Sequence, residues 1–255
     1  MNITQTIILA LIEGLTEFLP VSSTGHLILA SSAMKIHEDE FVKTFEIFIQ
    51  LGAILAIALM YIKRFFQGMK IYAKLFVAFI PTAIVGFFAY DFIKSYLFNP
   101  IVVSLSLIIG GIILIWIDKK VISKESEVES LVDIAFRNAF YIGLMQCFSM
   151  IPGTSRAAST IIGGVFNRLD KKQATEFSFL LAIPTMIAAT GYDLFKTSIN
   201  FNNQEIVMLT LGLATAFVSA WLAVKIFLRI VENYGFKHFG YYRIIVGLLF
   251  LYIMA

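Results

Sequence analysis

Charge is what this sequence has least of. Of its 255 residues, 15% are Asp, Glu, Lys or Arg, where a soluble domain carries roughly 25%. Residues 53–62, 101–117 and 206–224 hold no charged side chain at all. Apolar runs of about 18 residues or more match bilayer-spanning helices, and the mean hydropathy is +0.84. The chain therefore reads as polytopic, not as a soluble enzyme with one anchor. A single cysteine, Cys147, excludes an intrachain disulfide. There is no Cys/His zinc pattern and no Gly-Lys-Ser phosphate loop. The formal net charge of +3 is too small to point to nucleic acid. The first apolar run, residues 3–12, lacks a basic flank and runs into Glu13 and Glu17 without a small-residue cleavage site. A cleaved signal peptide is not expected. Low-complexity segments are absent, and the most polar stretch, residues 118–133, reads as a solvated loop.

What is there comes in two similar halves. Leu19-Pro20-Val21-Ser22-Ser23 aligns with Ile151-Pro152-Gly153-Thr154-Ser155, and Glu46 aligns with Glu176. Each half holds four apolar segments, a weak internal symmetry found in membrane proteins with inverted repeats. The first segment of each half, residues 3–33 and 137–166, is interrupted by proline and polar residues. A broken backbone at membrane depth is tolerated only where it is buried in protein or lines a wet cavity.

Basic residues orient the chain. If all eight segments cross, the nineteen Lys and Arg outside the Arg156 motif divide nearly evenly between the two sides. If the first and fifth re-enter, the division is fifteen against four, with Arg243 counted among the fifteen. The positive-inside rule selects the second arrangement. The expected fold is thus all-α and polytopic: six transmembrane helices plus two re-entrant helical hairpins in an inverted repeat. The first half spans 1–118, a cytoplasmic loop 119–136, and the second half 137–255, with both termini outside the cytoplasm and the hairpins meeting near the midplane.

Polar residues concentrate at the two breaks. Glu13 and Glu17 are four apart, so they share a helix face. Pro20 ends that helix, and Ser22, Ser23, Thr24, Gly25 and His26 follow. An ionisable residue at bilayer depth costs about 2.5–3.5 kcal/mol on insertion scales, so this cluster needs a compensating role. Either it is a structural network joining the hairpins, or it is a site holding nucleophile, base and acid types together. In the second break, Pro152-Gly153-Thr154-Ser155-Arg156 offers helix N-terminal N–H groups, hydroxyl donors and a planar guanidinium, all suited to phosphate. Arg156 alternatively neutralises Glu13 or Glu17. Glu46 and Glu176 read as interfacial caps at least as readily as functional groups, and Trp116, Tyr241 and Tyr242 read as interface-belt aromatics without a chemical role.

The run Glu13-Gly14-Leu15-Thr16-Glu17-Phe18-Leu19-Pro20-Val21-Ser22-Ser23-Thr24-Gly25-His26-Leu27 resembles the signature of the bacterial undecaprenyl-diphosphate phosphatases, also called bacitracin-resistance proteins. Pro152-Gly153-Thr154-Ser155-Arg156 resembles their second signature, and the resemblance covers essentially the whole chain. Ala157 and Ala158 stand where that family often has Ser and Gly. The resemblance implies hydrolysis of undecaprenyl diphosphate to undecaprenyl phosphate and inorganic phosphate, recycling the lipid carrier of cell-wall polymers. It also implies a divalent cation, Mg2+ or Ca2+, and a site opening to the extracytoplasmic side of the bacterial inner membrane.

On these terms Ser23 is the expected nucleophile, with His26 as its base or as acid to the leaving group; the sequence leaves His26 open as the attacking group. Arg156, Ser22, Thr24, Gly153, Thr154 and Ser155 are the expected phosphate contacts. Glu13 and Glu17 are the expected metal ligands, and Glu17 alternatively orients His26. The expected partners are a polyprenyl diphosphate lipid and the bilayer, with a homodimer left open and no nucleic acid. The alternative function is a lipid-phosphate transporter or flippase, since broken segments meeting at the midplane also build transport sites.

Overall fold

Apolar residues on every face and few interior breakers drive this chain into helices that satisfy their own backbone, as a bilayer demands. The structure, a computed structural model, describes residues 1–65, 69–97, 99–121, 128–196 and 201–254. Among these, eleven α-helices run in order: α1 (Ile3–Thr16), α2 (Ser23–Ala33), α3 (Glu40–Met60), α4 (Ile62–Phe65), α5 (Met69–Tyr96), α6 (Pro100–Val121), α7 (Phe136–Cys147), α8 (Arg156–Phe166), α9 (Lys171–Lys196), α10 (Asn203–Tyr234) and α11 (Lys237–Met254). No strand occurs among the described residues. Helix starts follow local chemistry: Asn2 with Gln5, and Asn202 with Glu205, form capping boxes on α1 and α10.

Among the described residues five helices are long and apolar enough to cross a membrane: α3, α9, α10, the stretch Met69–Ala89 of α5 and the stretch Pro100–Lys119 of α6. The four helices at the two breaks are shorter. At 1.5 Å per residue, α1 and α2 reach about 21 and 17 Å, against a hydrocarbon core of about 30 Å. Contacts at their ends place them beside neighbouring helices. The Met1 ammonium lies 3.8 Å from the carboxylate of Asp39, which caps α3, so α1 begins where α3 begins. Gln173 Nε2, in the first turn of α9, donates to Val128 O at 2.8 Å, so the chain entering α7 lies beside the start of α9.

Polar contacts gather at one end of the molecule. Arg64 pairs with Glu176 at 3.0 Å, Lys171 with Asp118 at 2.9 Å, and Lys172 with Glu232 at 2.9 Å. Asp118 also accepts from the backbone N–H groups of Phe236 and Lys237 at the start of α11. Lys74 donates to the carbonyls of Val132 and Ile134. These bonds join α4 and the ends of α6 and α10 to the starts of α9 and α11, and α5 to the segment that leads into α7.

Three expectations change here. Residues 118–121 belong to α6 and Asp118 is 1% exposed, so the solvated loop is shorter than the polar stretch suggests; residues 122–127 lie outside the described residues. Arg243 is fully buried within α11 and is no loop charge, because its guanidinium is bonded inside the bundle. Removing it leaves fourteen basic residues against four. Glu46 lies inside α3, not at its cap, and Glu176 is the ion-pair partner of Arg64.

Helix pairs pack through small residues, the means by which membrane helices approach closely. α1 packs on α10, α7 on α5, α3 on both α9 and α10, and α6 on α11. A Cβ on Gly14 would collide with Ala216 O and Ser219 Oγ of α10, and one on Gly143 would collide with Ala78 O of α5. Gly191 on α9 faces open space. We expect Gly143→Val to lose about 1–3 kcal/mol through overpacking and Gly191→Ala to gain about 0.5–1 kcal/mol through helix entropy. Thermal midpoints in detergent should therefore move in opposite directions; equal midpoints would refute the close approach of α5 and α7.

Candidate active site

Proline interrupts both helix pairs, since it lacks an N–H and clashes with the preceding turn. Residues 17–22 link α1 to α2, and 148–155 link α7 to α8. Each link ends in a serine of positive φ, Ser22 at 71° and Ser155 at 73°. Each serine caps the next helix, accepting from Gly25 N at 3.3 Å and from Ala158 N at 3.2 Å respectively. Sequence alignment pairs Ser22 with Thr154; the cap geometry pairs it with Ser155, because the second link is longer.

The two breaks meet in a buried chain of hydrogen bonds. Glu17 ends α1, Ser23 opens α2 and Arg156 opens α8. Arg156 Nη2 lies 3.0 Å from Glu17 Oε1, and the Ser23 hydroxyl donates to Glu17 Oε2. The side chains of Arg156 and Glu17 are 10% and 8% exposed, so breaking this pair would strand a buried charge at a cost of about 3–5 kcal/mol. Arg156 Nη1 donates to Ser178 O at 3.1 Å, and its guanidinium lies over the Phe18 ring at 5.4 Å. Ser178 Oγ in turn lies 2.6 Å from Thr160 Oγ1.

Three polar atoms beside this chain lack a hydrogen-bond partner among the described residues: both carboxylate oxygens of Glu13, which is fully buried, and Arg156 Nε. Buried polar atoms are almost always bonded, so an acceptor at Arg156 Nε and a cation or proton at Glu13 would complete the site. Thr24 and Thr154 are half-buried at the adjoining helix start and link.

Other expected residues have different partners. His26 is apart from Ser23's hydrogen bond: its Nδ1 lies 2.8 Å from Ser22 O, and its Nε2 lies 2.7 Å from Tyr242 Oη. A carbonyl only accepts, so Nδ1–H donates; in the neutral ring Nε2 then accepts from the Tyr242 hydroxyl. Glu17 therefore orients Ser23, not His26. The Ser155 hydroxyl serves backbone, donating to Leu19 O at 3.5 Å while capping Ala158. Gly153, at φ 91°, gives its carbonyl to Arg243; a Cβ there would collide with Val103 O. Ala157 and Ala158 are buried in the apolar core, leaving no room there for solvent-directed hydroxyls.

Sequence reasoning missed Tyr242, Arg243 and Ser178. Tyr242 reads as an interface aromatic but stacks on His26 with ring centroids 5.5 Å apart. The available signal for Arg243 is a charge six residues inside a helix that is otherwise apolar after it. Ser178 gives no signal, because its contribution is a backbone carbonyl.

A hydroxyl held by a carboxylate, with a guanidinium across from it and free donors nearby, is suited to attack on a phosphoryl group. Comparison with known proteins agrees in kind. The family model described as bacitracin resistance protein BacA matches residues 6–249. The undecaprenyl-diphosphatase of Wolinella succinogenes is 49% identical over 99% of this chain and 98% of its own. That of Bdellovibrio bacteriovorus is 47% identical over 100% of this chain and 97% of its own. That of Aquifex aeolicus is 48% identical, covering 96% of each chain. Matched along nearly its full length by the family model and by these relatives, the chain belongs to the bacitracin resistance protein BacA family.

Proposed function

We propose that this multi-pass membrane protein hydrolyses undecaprenyl diphosphate to undecaprenyl phosphate and inorganic phosphate, and so recycles the lipid carrier of cell-wall polymers and confers bacitracin resistance. The observation that carries this is the hydrogen-bonded chain Ser23–Glu17–Arg156 at the meeting of the two breaks. Relatives sharing nearly half of the sequence bear the name undecaprenyl-diphosphatase. A carrier of lipid phosphate has no need of a hydroxyl aligned on a carboxylate, so transport is not favoured.

Ser23 Oγ attacks the terminal phosphorus while Glu17 Oε2 accepts its proton. The bond from that phosphorus to the bridging oxygen breaks, and undecaprenyl phosphate departs with the bond's electron pair. Arg156 and the N–H groups opening α8 stabilise charge on the phosphoryl oxygens. Once the proton on Glu17 has been lost, the same carboxylate takes a proton from water, the resulting hydroxide attacks phosphorus, the P–Oγ bond breaks with its electron pair going to Ser23 Oγ, and Glu17 returns the proton to that oxygen as phosphate leaves. His26, on the next turn from Ser23 and bonded to Tyr242, is placed to exchange a proton with the departing lipid phosphate. Glu13 and Glu17 are the residues that would hold a divalent cation. Among the described residues no group of three His, Cys, Asp or Glu is present, so substrate oxygens and water would complete its shell, as Mg2+ commonly requires. The cation would neutralise phosphoryl charge.

The finer topology belongs to the same proposal. Six crossings, α3, α5, α6, α9, α10 and α11, combine with two re-entrant pairs, α1–α2 and α7–α8, in an inverted repeat divided near residues 119–136. The Met1–Asp39 and Gln173–Val128 contacts support a return of each pair to its own side. Packing of α1 on α10 and of α7 on α5 supports the repeat. The basic, ion-paired end is cytoplasmic in this arrangement, and the site opens to the outside of the inner membrane.

Phosphate release from a polyprenyl diphosphate by the purified protein, with and without chelator, tests the activity; no release would remove it. Ser23→Ala should lower turnover at least about a hundredfold while substrate still binds, and near-normal turnover would overturn the role of Ser23. Arg156→Lys keeps the charge but loses the fork; a loss of at least about tenfold, or about 1.4 kcal/mol, is expected. If Lys serves as well, Arg156 is only a counter-ion. A cysteine at Lys171 should resist an impermeant reagent added outside intact cells, and ready labelling there would sink the six-crossing topology.

A further inference from the structure

Among the described residues Arg243 is the largest fully buried side chain. Among the described residues no carboxylate pairs with it. Its guanidinium instead donates to four backbone carbonyls. Nη1 reaches Pro20 O at 3.1 Å and Nη2 reaches Gly153 O at 2.9 Å. Nη2 also reaches Ser106 O at 3.0 Å, and Nε reaches Leu107 O at 3.3 Å, both on α6. The first two carbonyls belong to the two different breaks. Pro20 stands three residues before Ser23, and Gly153 three residues before Arg156.

α6 is shaped to admit this side chain. A Cβ on Gly110 would collide with the guanidinium, lying 2.6 Å from Cζ. Alongside it, a Cβ on Gly111 would lie 2.6 Å from Gly240 O, so α6 and α11 approach closely where Arg243 crosses. A planar fork with five donors can bond carbonyls in several directions at once; an ammonium cannot reproduce that spread.

We propose that Arg243 is a positioning residue that fixes the two helix breaks relative to one another and to α6, and thereby sets the alignment of Ser23, Glu17 and Arg156. It touches neither substrate nor the reacting atoms. The proposal rests on the phosphatase reading, and its test carries one readout independent of turnover.

The test uses full-length protein in detergent with a synthetic polyprenyl diphosphate. Arg243→Met should lower kcat at least about a hundredfold and Arg243→Lys about tenfold, with KM within about twofold of the parent. Gly110→Ala keeps the arginine but displaces it, and should also lower kcat about tenfold. Gly143→Val, which loosens the contact of α7 with α5 without touching Arg243 or the carbonyls it bonds, is the control: at a similar drop in thermal midpoint it should keep its kcat per folded molecule. The independent readout places cysteines at Leu19 and Ser155, one in each break, in a Cys147→Ser background and follows their cross-linking by a short bifunctional reagent. Cross-linking should be efficient with Arg243 present and slower in Arg243→Met. If Arg243→Met keeps kcat within about threefold, or cross-links at the parent rate, the proposal is wrong. A loss of kcat in Gly143→Val matching that in Gly110→Ala would equally reduce Arg243 to a general stabiliser. Should the parent release no phosphate, the phosphatase reading falls, and cross-linking alone decides the register.

Discussion

A helix broken inside a membrane must find partners for the backbone groups that the break exposes, because lipid supplies none. This protein breaks two, and the rest of its architecture follows from satisfying them. Ser22 and Ser155 turn back on their own helices as caps. The carbonyls of Pro20 and Gly153 point to a single guanidinium on α11. Gly110, Gly111 and Gly240 keep α6 and α11 close enough for that side chain to reach both links. Positive φ at Ser22 and Ser155 is an unfavourable conformation for a residue with a Cβ, held in place by caps and by the packed bundle.

The charges at the junction are arranged unequally. Arg156 pairs with Glu17, which also holds Ser23, while both oxygens of Glu13 and one of Glu46 are left without a hydrogen-bond partner among the described residues. A low-dielectric interior makes such unpaired groups costly. Such groups are retained where a ligand completes them; in the proposed reaction a diphosphate accompanied by a cation would bring the acceptor that Arg156 Nε lacks and the positive charge that Glu13 lacks. The same asymmetry holds Ser23 in place: the carboxylate that accepts its hydroxyl hydrogen bond is fixed from the far side by Arg156.

Much of this was readable in the residues. Glu13, Glu17 and Arg156 stand out because a bilayer penalises charge, and Pro20 and Pro152 stand out because they cannot continue a helix. The site contacts of Ser23 and Glu17 span six residues, and their shared neighbourhood follows from a turn. The partners of His26 and Pro20 lie 216 and 223 positions away, beyond any periodicity. Arg243 reads as a loop charge because a positive charge near a helix start resembles a topogenic signal; only the packing of α6 shows it facing inward. Ser155 looked like a phosphate donor because Ser at a helix start can bind an anion, and the same geometry lets it cap the helix instead. The long apolar helices are legible in the hydropathy; the cap register is not, since the second link carries extra residues that a motif alignment absorbs.

The position of Arg243 along the chain also sets an order of events during synthesis. Gly153 precedes it by 90 residues and Pro20 by 223. At a ribosomal rate of about 5–20 residues per second, the second break waits roughly 5–18 seconds for the guanidinium, and the first roughly 11–45 seconds. Through that interval both links are in the membrane or its insertion machinery with their carbonyls still open to other donors. The newborn chain therefore depends on water or on the insertion apparatus to satisfy two half-finished links, and the carbonyls of Pro20 and Gly153 are not joined through one side chain until α11 has been delivered.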